Sequence, residues 1–126
     1  MSLSNEFETR ALTWMFTADA VTRPTAWYIA AYTAAPSDAG GGTEATGGSY
    51  ARKQFTPSVS GDLMTNSGAL EFVTATASWG TITHIGIFDA ATGGNLISWG
   101  ALTTAKTIDS GDILRFDTGE LDVTLD

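Results

Sequence analysis

The chain contains one histidine, the side chain best suited to proton transfer near neutral pH. His84 lies between Ile82 and Gly86 in an apolar, alternating stretch, with Asp89 five residues further on. A catalytic histidine needs a nucleophile oriented against it, and the sequence has neither a G-x-S-x-G turn nor a cysteine. We therefore expect His84 to pack in or beside a sheet, and we predict no catalytic residues and no enzymatic activity.

Carboxylates are concentrated in the last third of the chain, at Asp109, Asp112, Asp117, Glu120, Asp122 and Asp126. The spacing of Asp109 and Asp112 could offer two oxygens to Ca²⁺, which takes about 6–8 oxygen ligands. The twelve-residue loop pattern that would make this a specific signal is missing, and nothing pairs two carboxylates for glycoside hydrolysis. We expect a solvated strand face here, with no metal ligands and no cofactor.

Four tryptophans and three tyrosines could line a sugar-binding groove, because aromatic faces stack on pyranose rings. Trp14 lies on an apolar helix face and Trp27 in an apolar strand, so we expect both in the core. Trp79 and Trp99 each precede a glycine in a β context. Three positions remain open for these two residues. A core position is preferred over a subunit interface, and an interface is preferred over a ligand-binding site.

The segment Ala34–Ser49 contains five glycines and no large apolar residue, so it is predicted to be a long loop. Gly40, Gly41 and Gly42 are followed by neither the Lys-Ser/Thr pair nor the helix of a phosphate-binding loop. Ordering such a backbone costs about 1–2 kcal/mol per residue. We therefore expect Ala34–Ser49, including Gly40, Gly41 and Gly42, to contact a neighbouring subunit or partner rather than its own core.

Residues 5–17 are predicted to form the one helix, with Asn5 as N-cap and Glu8 at capping-box spacing. Pro24 disfavours helix at the residue before it. The helix carries more large apolar residues than three turns normally bury on their own domain, and we expect them at an assembly interface. These residues are Phe7, Leu12, Trp14, Met15 and Phe16.

Apolar alternation and turn residues predict about seven short strands after the helix. They cover residues 25–33, 50–55, 70–76, 81–88, 95–102, 112–117 and 120–125. Both faces of 27–32 are apolar, which is typical of a central strand. Hairpins are predicted across Ala90–Gly94 and across Thr118-Gly119, while Pro57 is expected to stop a strand. The fold prediction is mainly β, an antiparallel β-sandwich with one N-terminal α-helix, in a single domain spanning 1–126 whose sandwich occupies 25–126.

The chain has 126 residues and 13.2 kDa, with 6 basic against 14 acidic side chains and a net charge of −8. This balance disfavours contact with nucleic acid or anionic lipid. No run of about 18 apolar residues predicts a membrane span, and the acidic N-terminus does not resemble a secretory signal.

Several short motifs, taken in order, resemble the small virion proteins of tailed bacteriophages known as phage tail fibre proteins, and also modules at the base of head spikes and in gene-transfer particles. These motifs are Pro24-Thr25, Tyr32-Thr33-Ala34 before Pro36, Gly42-Thr43-Glu44, Tyr50-Ala51-Arg52, Trp79-Gly80-Thr81-Ile82 and Asp89–Gly94. The resemblance covers nearly the whole chain. It implies a β-sandwich, a location in the virion, a structural role and no catalysis.

The predicted function is therefore a structural virion protein that forms or anchors a fibre, spike or collar as a symmetric homo-oligomer. Its expected partners are other copies and capsid, portal, neck or tail proteins. Because fibre proteins often continue into long shafts and this chain stops at Asp126, a base, collar or decoration role is favoured over host recognition. A capsid decoration protein and a carbohydrate-binding module that attaches to a host glycan are the alternatives.

Overall fold

A computed structural model describes residues 1–125 as one helix and eleven strands. In chain order they are β1 (Ser2–Leu3), α1 (Asn5–Phe16), β2 (Trp27–Ala34), β3 (Thr43–Glu44), β4 (Lys53–Phe55), β5 (Pro57–Ser60), β6 (Leu63–Asn66), β7 (Leu70–Glu71), β8 (Gly80–Phe88), β9 (Leu96–Ile108), β10 (Arg115–Phe116) and β11 (Asp122–Thr124). The main sheet has six strands in the order β1-β9-β8-β2-β3, with β4 also paired to β2. A two-stranded sheet, β10-β7, and a three-stranded sheet, β11-β6-β5, complete the fold.

The core lies between one face of the main sheet and the smaller sheets. Ile29 from β2 and Ile85 and Ile87 from β8 pack against Leu114 and Leu121 from the C-terminal segment, and all five are buried. Every strand pair is antiparallel. The prediction of a mainly β fold with antiparallel sheets and one helix is confirmed.

Strand β2 is central, as its two apolar faces indicated. It pairs with β8 along one edge and with β3 and β4 along the other. Ile29 and Ala31 face the main core, while Ala30 and Tyr32 face a second cluster with Phe88. Covering on both faces explains why the strand carries no polar stripe.

The prediction of about seven strands is too low, because short strands depend on partners far away in the chain. The strand β1 pairs with β9 through Ser2 and Leu3 alone. The β5–β6 hairpin turns at Gly61, which has a φ of 62°. The strand before Pro57, β4, ends at Phe55 as predicted, and Pro57 itself opens β5, since the first residue of a strand is a position that tolerates proline.

The predicted hairpin across Thr118-Gly119 is wrong, since β10 pairs with β7 and β11 pairs with β6. The buried side chain of Asn66 is the physical reason. Its Oδ1 accepts the backbone N–H groups of Gly119 and Leu121, and its Nδ2 donates to the carbonyl of Asp117 at 2.9 Å. These hydrogen bonds fix the turn at Asn66, the last residue of β6, so that β11 pairs with β6.

We expect Asn66→Asp to lower the free energy of unfolding by about 1–3 kcal/mol. The aspartate keeps both acceptor contacts but loses the amide hydrogens that reach the carbonyls of Gly68 and Asp117. Urea denaturation measures the change. Asn5→Asp, the same exchange at an exposed helix start, is the control. Equal stability of the two variants would contradict a structural role for Asn66.

Candidate assembly surface

The helix α1 leaves the edge of the main sheet directly after β1. Ser4 is its N-cap, in place of the predicted Asn5, and its hydroxyl oxygen accepts the backbone N–H of Phe7 at 3.3 Å. The backbone N–H of Ser4 donates to the carbonyl of Ile97 in β9, at 2.9 Å. The edge pairing thus places Ser4 at the cap position.

No residue of α1 is buried. Leu12, Trp14, Met15 and Phe16 are 57%, 71%, 54% and 78% exposed, while Phe7 is half-buried. The prediction that Trp14 lies in the core is therefore wrong. The helix lies beside the edge of the main sheet and turns only its Phe7 side toward the body of the protein. The described residues 1–125 therefore leave four large apolar side chains of one short helix in solvent.

The segment after the helix runs back beside it and forms an apolar groove. Arg10 holds this segment, since its guanidinium donates to the carbonyl of Thr22 at 3.2 Å and lies 4.6 Å from the centre of the Phe7 ring. The groove has a volume of about 450 Å³. We call it the α1 groove; its apolar lining comprises Leu3, Phe7, Ala11, Trp14, Val21, Pro24 and Leu125.

The glycine-rich segment is built into its own fold, which corrects the expectation that it has no anchor in its own core. Ala45 is buried, and its backbone N–H donates to the carbonyl of Ala31 at 2.8 Å. A Cβ on Gly42 would approach the backbone of Pro36 to 2.7 Å, with φ at +74°. Glycine is therefore required at position 42 for close packing within the chain.

The tip of the same segment is open. A Cβ on Gly40 or Gly41 would meet no atom within 4 Å. Beside the tip, the carboxylate of Asp38 accepts hydrogen bonds from the Trp99 indole and the Ser2 hydroxyl, both at 2.8 Å, and these bonds hold the pKa of Asp38 below its ordinary value. The prediction that Gly40, Gly41 and Gly42 contact another subunit stays a prediction.

Arg52 is the centre of a polar network that the sequence did not predict. Its guanidinium makes two hydrogen bonds of 2.9 Å to the carboxylate of Glu44 and reaches the carbonyls of Ala90 and Gly93 at 3.0 and 2.7 Å. It also lies 3.7 Å from the centre of the Phe88 ring. Three of the resemblance motifs, around Glu44, around Arg52 and at the β8–β9 turn, meet in this network.

Tyr50 extends the network into the sheet. Its hydroxyl donates to Glu44 at 2.7 Å and accepts the backbone N–H of Ala31 at 3.0 Å. Burial is the main cause that raises the pKa of Tyr50. Burial acts to lower the pKa of Arg52, but the hydrogen bonds and charge of Glu44 outweigh it and raise that pKa. The network thus favours a neutral Tyr50 and a charged Arg52.

Trp79 is a core residue. It is 3% exposed, its indole N–H donates to the carbonyl of Gly48 at 2.8 Å, and its ring meets Tyr50 edge-on at 5.2 Å between centres. Trp27 is partly buried against the same core, and Trp99 is half-buried with its N–H bound to Asp38. Trp79 therefore offers no face for stacking on a sugar.

His84 lies half-buried on β8, as expected for a residue packed beside a sheet. Its Nδ1 lies 2.8 Å from the Thr83 hydroxyl, and its ring centre lies 6.2 Å from that of Trp99. Asp89 stabilises the turn after β8. Its carboxylate accepts two hydrogen bonds from Asn95. Partial burial acts to raise the pKa of Asp89, but these bonds outweigh it, so the pKa lies below its ordinary value.

The C-terminal carboxylates serve turns and surface ion pairs. Asp112 accepts the backbone N–H of Asp109 at 2.9 Å, and Asp117 and Glu71 both contact the exposed Arg115. Within residues 1–125, no three His, Cys, Asp or Glu side chains are grouped to hold a metal. No helix in this range is long and apolar enough to cross a bilayer. Asp126 lies outside the described residues.

Comparison with known proteins assigns the chain to a family. No curated protein matches the chain. A family model that describes the podophage GP4 fiber I protein gp80 matches residues 2–124, which is nearly the whole sequence. The resemblance to phage tail fibre proteins is thereby confirmed. Since the match takes in α1, the Arg52 network and both layers of the fold, the chain belongs to the podophage GP4 fiber I protein gp80 family and is a structural fibre component of a bacteriophage virion.

Proposed function

We propose that this chain is a non-enzymatic subunit that assembles into a symmetric homo-oligomer and anchors a fibre to the phage particle. The exposed apolar surface of α1 is the observation that carries the proposal. Burying one large apolar side chain is worth roughly 1.5–3 kcal/mol. Soluble monomers seldom expose more than a few hundred Å² of contiguous apolar surface. Covering α1 in an assembly removes this unfavourable exposure.

The polar side chains support a structural rather than a catalytic role. The Arg52, Glu44 and Tyr50 side chains bond to one another and to backbone groups, so they brace the fold. The nearest polar contact of His84 is a threonine hydroxyl. The fibre family points the same way. Capsid, portal, neck or tail proteins are the partners that such an anchor would contact.

We expect the unmodified protein to elute as an oligomer of defined mass in size-exclusion chromatography with light scattering, and Trp14→Asp/Phe16→Asp to elute as a monomer. A charge at each exposed site opposes burial between subunits and removes no core contact. The melting temperature of the isolated variant should therefore stay close to that of a folded protomer.

Val59→Asp/Ile113→Asp is the matched control, because these two apolar residues are also exposed and neither lines the α1 groove. This control should keep the oligomeric mass. An unmodified protein that stays monomeric at high concentration and fails to enter particles would overturn the proposal.

Electron microscopy of particles that carry a labelled copy tests the anchoring role. Label at the origin of the fibres supports an anchor. Label spread evenly over the head would favour the alternative of a capsid decoration protein. If the label at the fibre origins disappears when the labelled copy carries Trp14→Asp/Phe16→Asp, the anchoring depends on α1.

A further inference from the structure

The helix α1 has apolar residues on two opposite sides. Phe7, Ala11 and Trp14 form one stripe, which lines the α1 groove. Phe16 follows Phe7 by nine residues, about two and a half turns, and so lies on the far side. Leu12 lies near Phe16, and Met15 lies between the two sides. We call Leu12, Met15 and Phe16 the outer face. A helix that is apolar on two sides needs two neighbours to cover it.

We infer that the outer face of α1 in one copy packs into the α1 groove of the next copy. This inference rests on the proposed function and specifies its contact. A two-fold contact between outer faces would leave both grooves open, whereas a head-to-tail contact covers the outer face and the groove of every copy. Contacts of this heterologous kind close into rings when the rotation between copies permits.

The exposed area is large enough for this contact. An aromatic side chain presents about 150–250 Å², so Trp14 and Phe16, at 71% and 78% exposure, leave roughly 300 Å² uncovered per copy. With Leu12, Met15 and the facing groove wall, the contact would bury on the order of 1,000 Å² in total, which is the lower limit for a specific interface.

The charges around the two surfaces are complementary. Glu8 precedes Leu12 by one helical turn and is exposed beside the outer face. Arg23 is exposed and lines the α1 groove. Packing the outer face into the next groove brings Glu8 of one copy toward Arg23 of the other. The pairing of Glu8 with Arg23 favours a second copy of this chain as the occupant of the groove. A different virion protein would have no need for a groove that complements the charge on α1.

The absence of cysteine from the chain permits a direct test. Protein carrying Met15→Cys is mixed with protein carrying Thr22→Cys and treated with a short bifunctional maleimide. We expect a mixed product at twice the protomer mass. Adding Phe16→Asp to the first protein should abolish that product. Met15→Cys mixed with Thr118→Cys, at an exposed turn that does not line the groove, is the control and should give none.

Each result decides between arrangements. Products that form from Met15→Cys protein alone would indicate a two-fold contact of outer faces and overturn the inference. An oligomer that gives no mixed product overturns the inference and leaves the proposed function standing, whereas a monomeric unmodified protein overturns both. As a second measurement, Glu8→Arg should lower the oligomeric fraction at least tenfold, and adding Arg23→Glu to the same chain should restore it. Failure of that restoration would also count against the contact.

Discussion

Replacing Trp79 with alanine should lower the free energy of unfolding by about 3–5 kcal/mol, the range for deleting a large buried aromatic side chain. Trp79 packs against Tyr50 and Phe72, with ring centres 5.2 and 6.1 Å away. Removing the indole leaves a cavity in the core and takes away the donor to the carbonyl of Gly48. Denaturant titration followed by far-UV circular dichroism measures the loss.

Trp14→Ala is the control for this prediction, because it makes the same chemical change at a site where most of the side chain is in solvent. In the separated protomer this control should shift the denaturation midpoint little, while it weakens assembly. A comparable loss of protomer stability in both variants would contradict the core position of Trp79 and the exposed position of Trp14.

Arg52→Met should destabilise the protein by about 3 kcal/mol, the lower end of the range for removing one partner of a buried ion pair, because the Glu44 side chain left behind is 27% exposed. The side chain of Arg52 is 8% exposed, and Met replaces its length without its charge or its donors. The carboxylate of Glu44 loses its cation and keeps the hydroxyl of Tyr50. The carbonyls of Ala90 and Gly93 lose their donor, so the β8–β9 turn also loses its tie to the loop.

Arg115→Met is the matched control. Arg115 also contacts two carboxylates, those of Glu71 and Asp117, but all three side chains are exposed, and exposed ion pairs contribute little to stability. The double variant Glu44→Gln/Arg52→Met should lose less than the sum of its two single variants, because partners in one network are not additive. Equal shifts for Arg52→Met and Arg115→Met, or full additivity in the double variant, would contradict the network.

Elements with a strong local pattern were predicted well from the sequence. The two apolar faces of β2 indicated a central strand, and the residues between β8 and β9 indicated a turn. Gly93 and Gly94 have φ values of 60° and 73° there, a region that glycine enters at little cost. The helix was also predicted, and it ends one residue earlier than expected. Such features depend on periodicity and on residues next to each other in the chain.

Pairings between distant segments were not predictable in the same way. The apolar patterns of β10 and β11 fit several partners, and the buried side chain of Asn66 selects among them. The Arg52 network joins residues 8 and 38 positions apart, so no local pattern marks it. In the sequence, only the motifs behind the family resemblance pointed to the Arg52 network.

The sequence by itself determined the class of the fold, the central strand, the helix and the family, because periodicity, turn residues and motif order are local properties of the chain. Only the tertiary structure decided which of the large apolar residues are covered. Trp14 and Trp79 look alike in an apolar pattern, yet one is exposed on a helix at the sheet edge and the other is enclosed by Tyr50 and Phe72. Burial is a property of the surroundings in space, and those surroundings come from segments far apart in sequence.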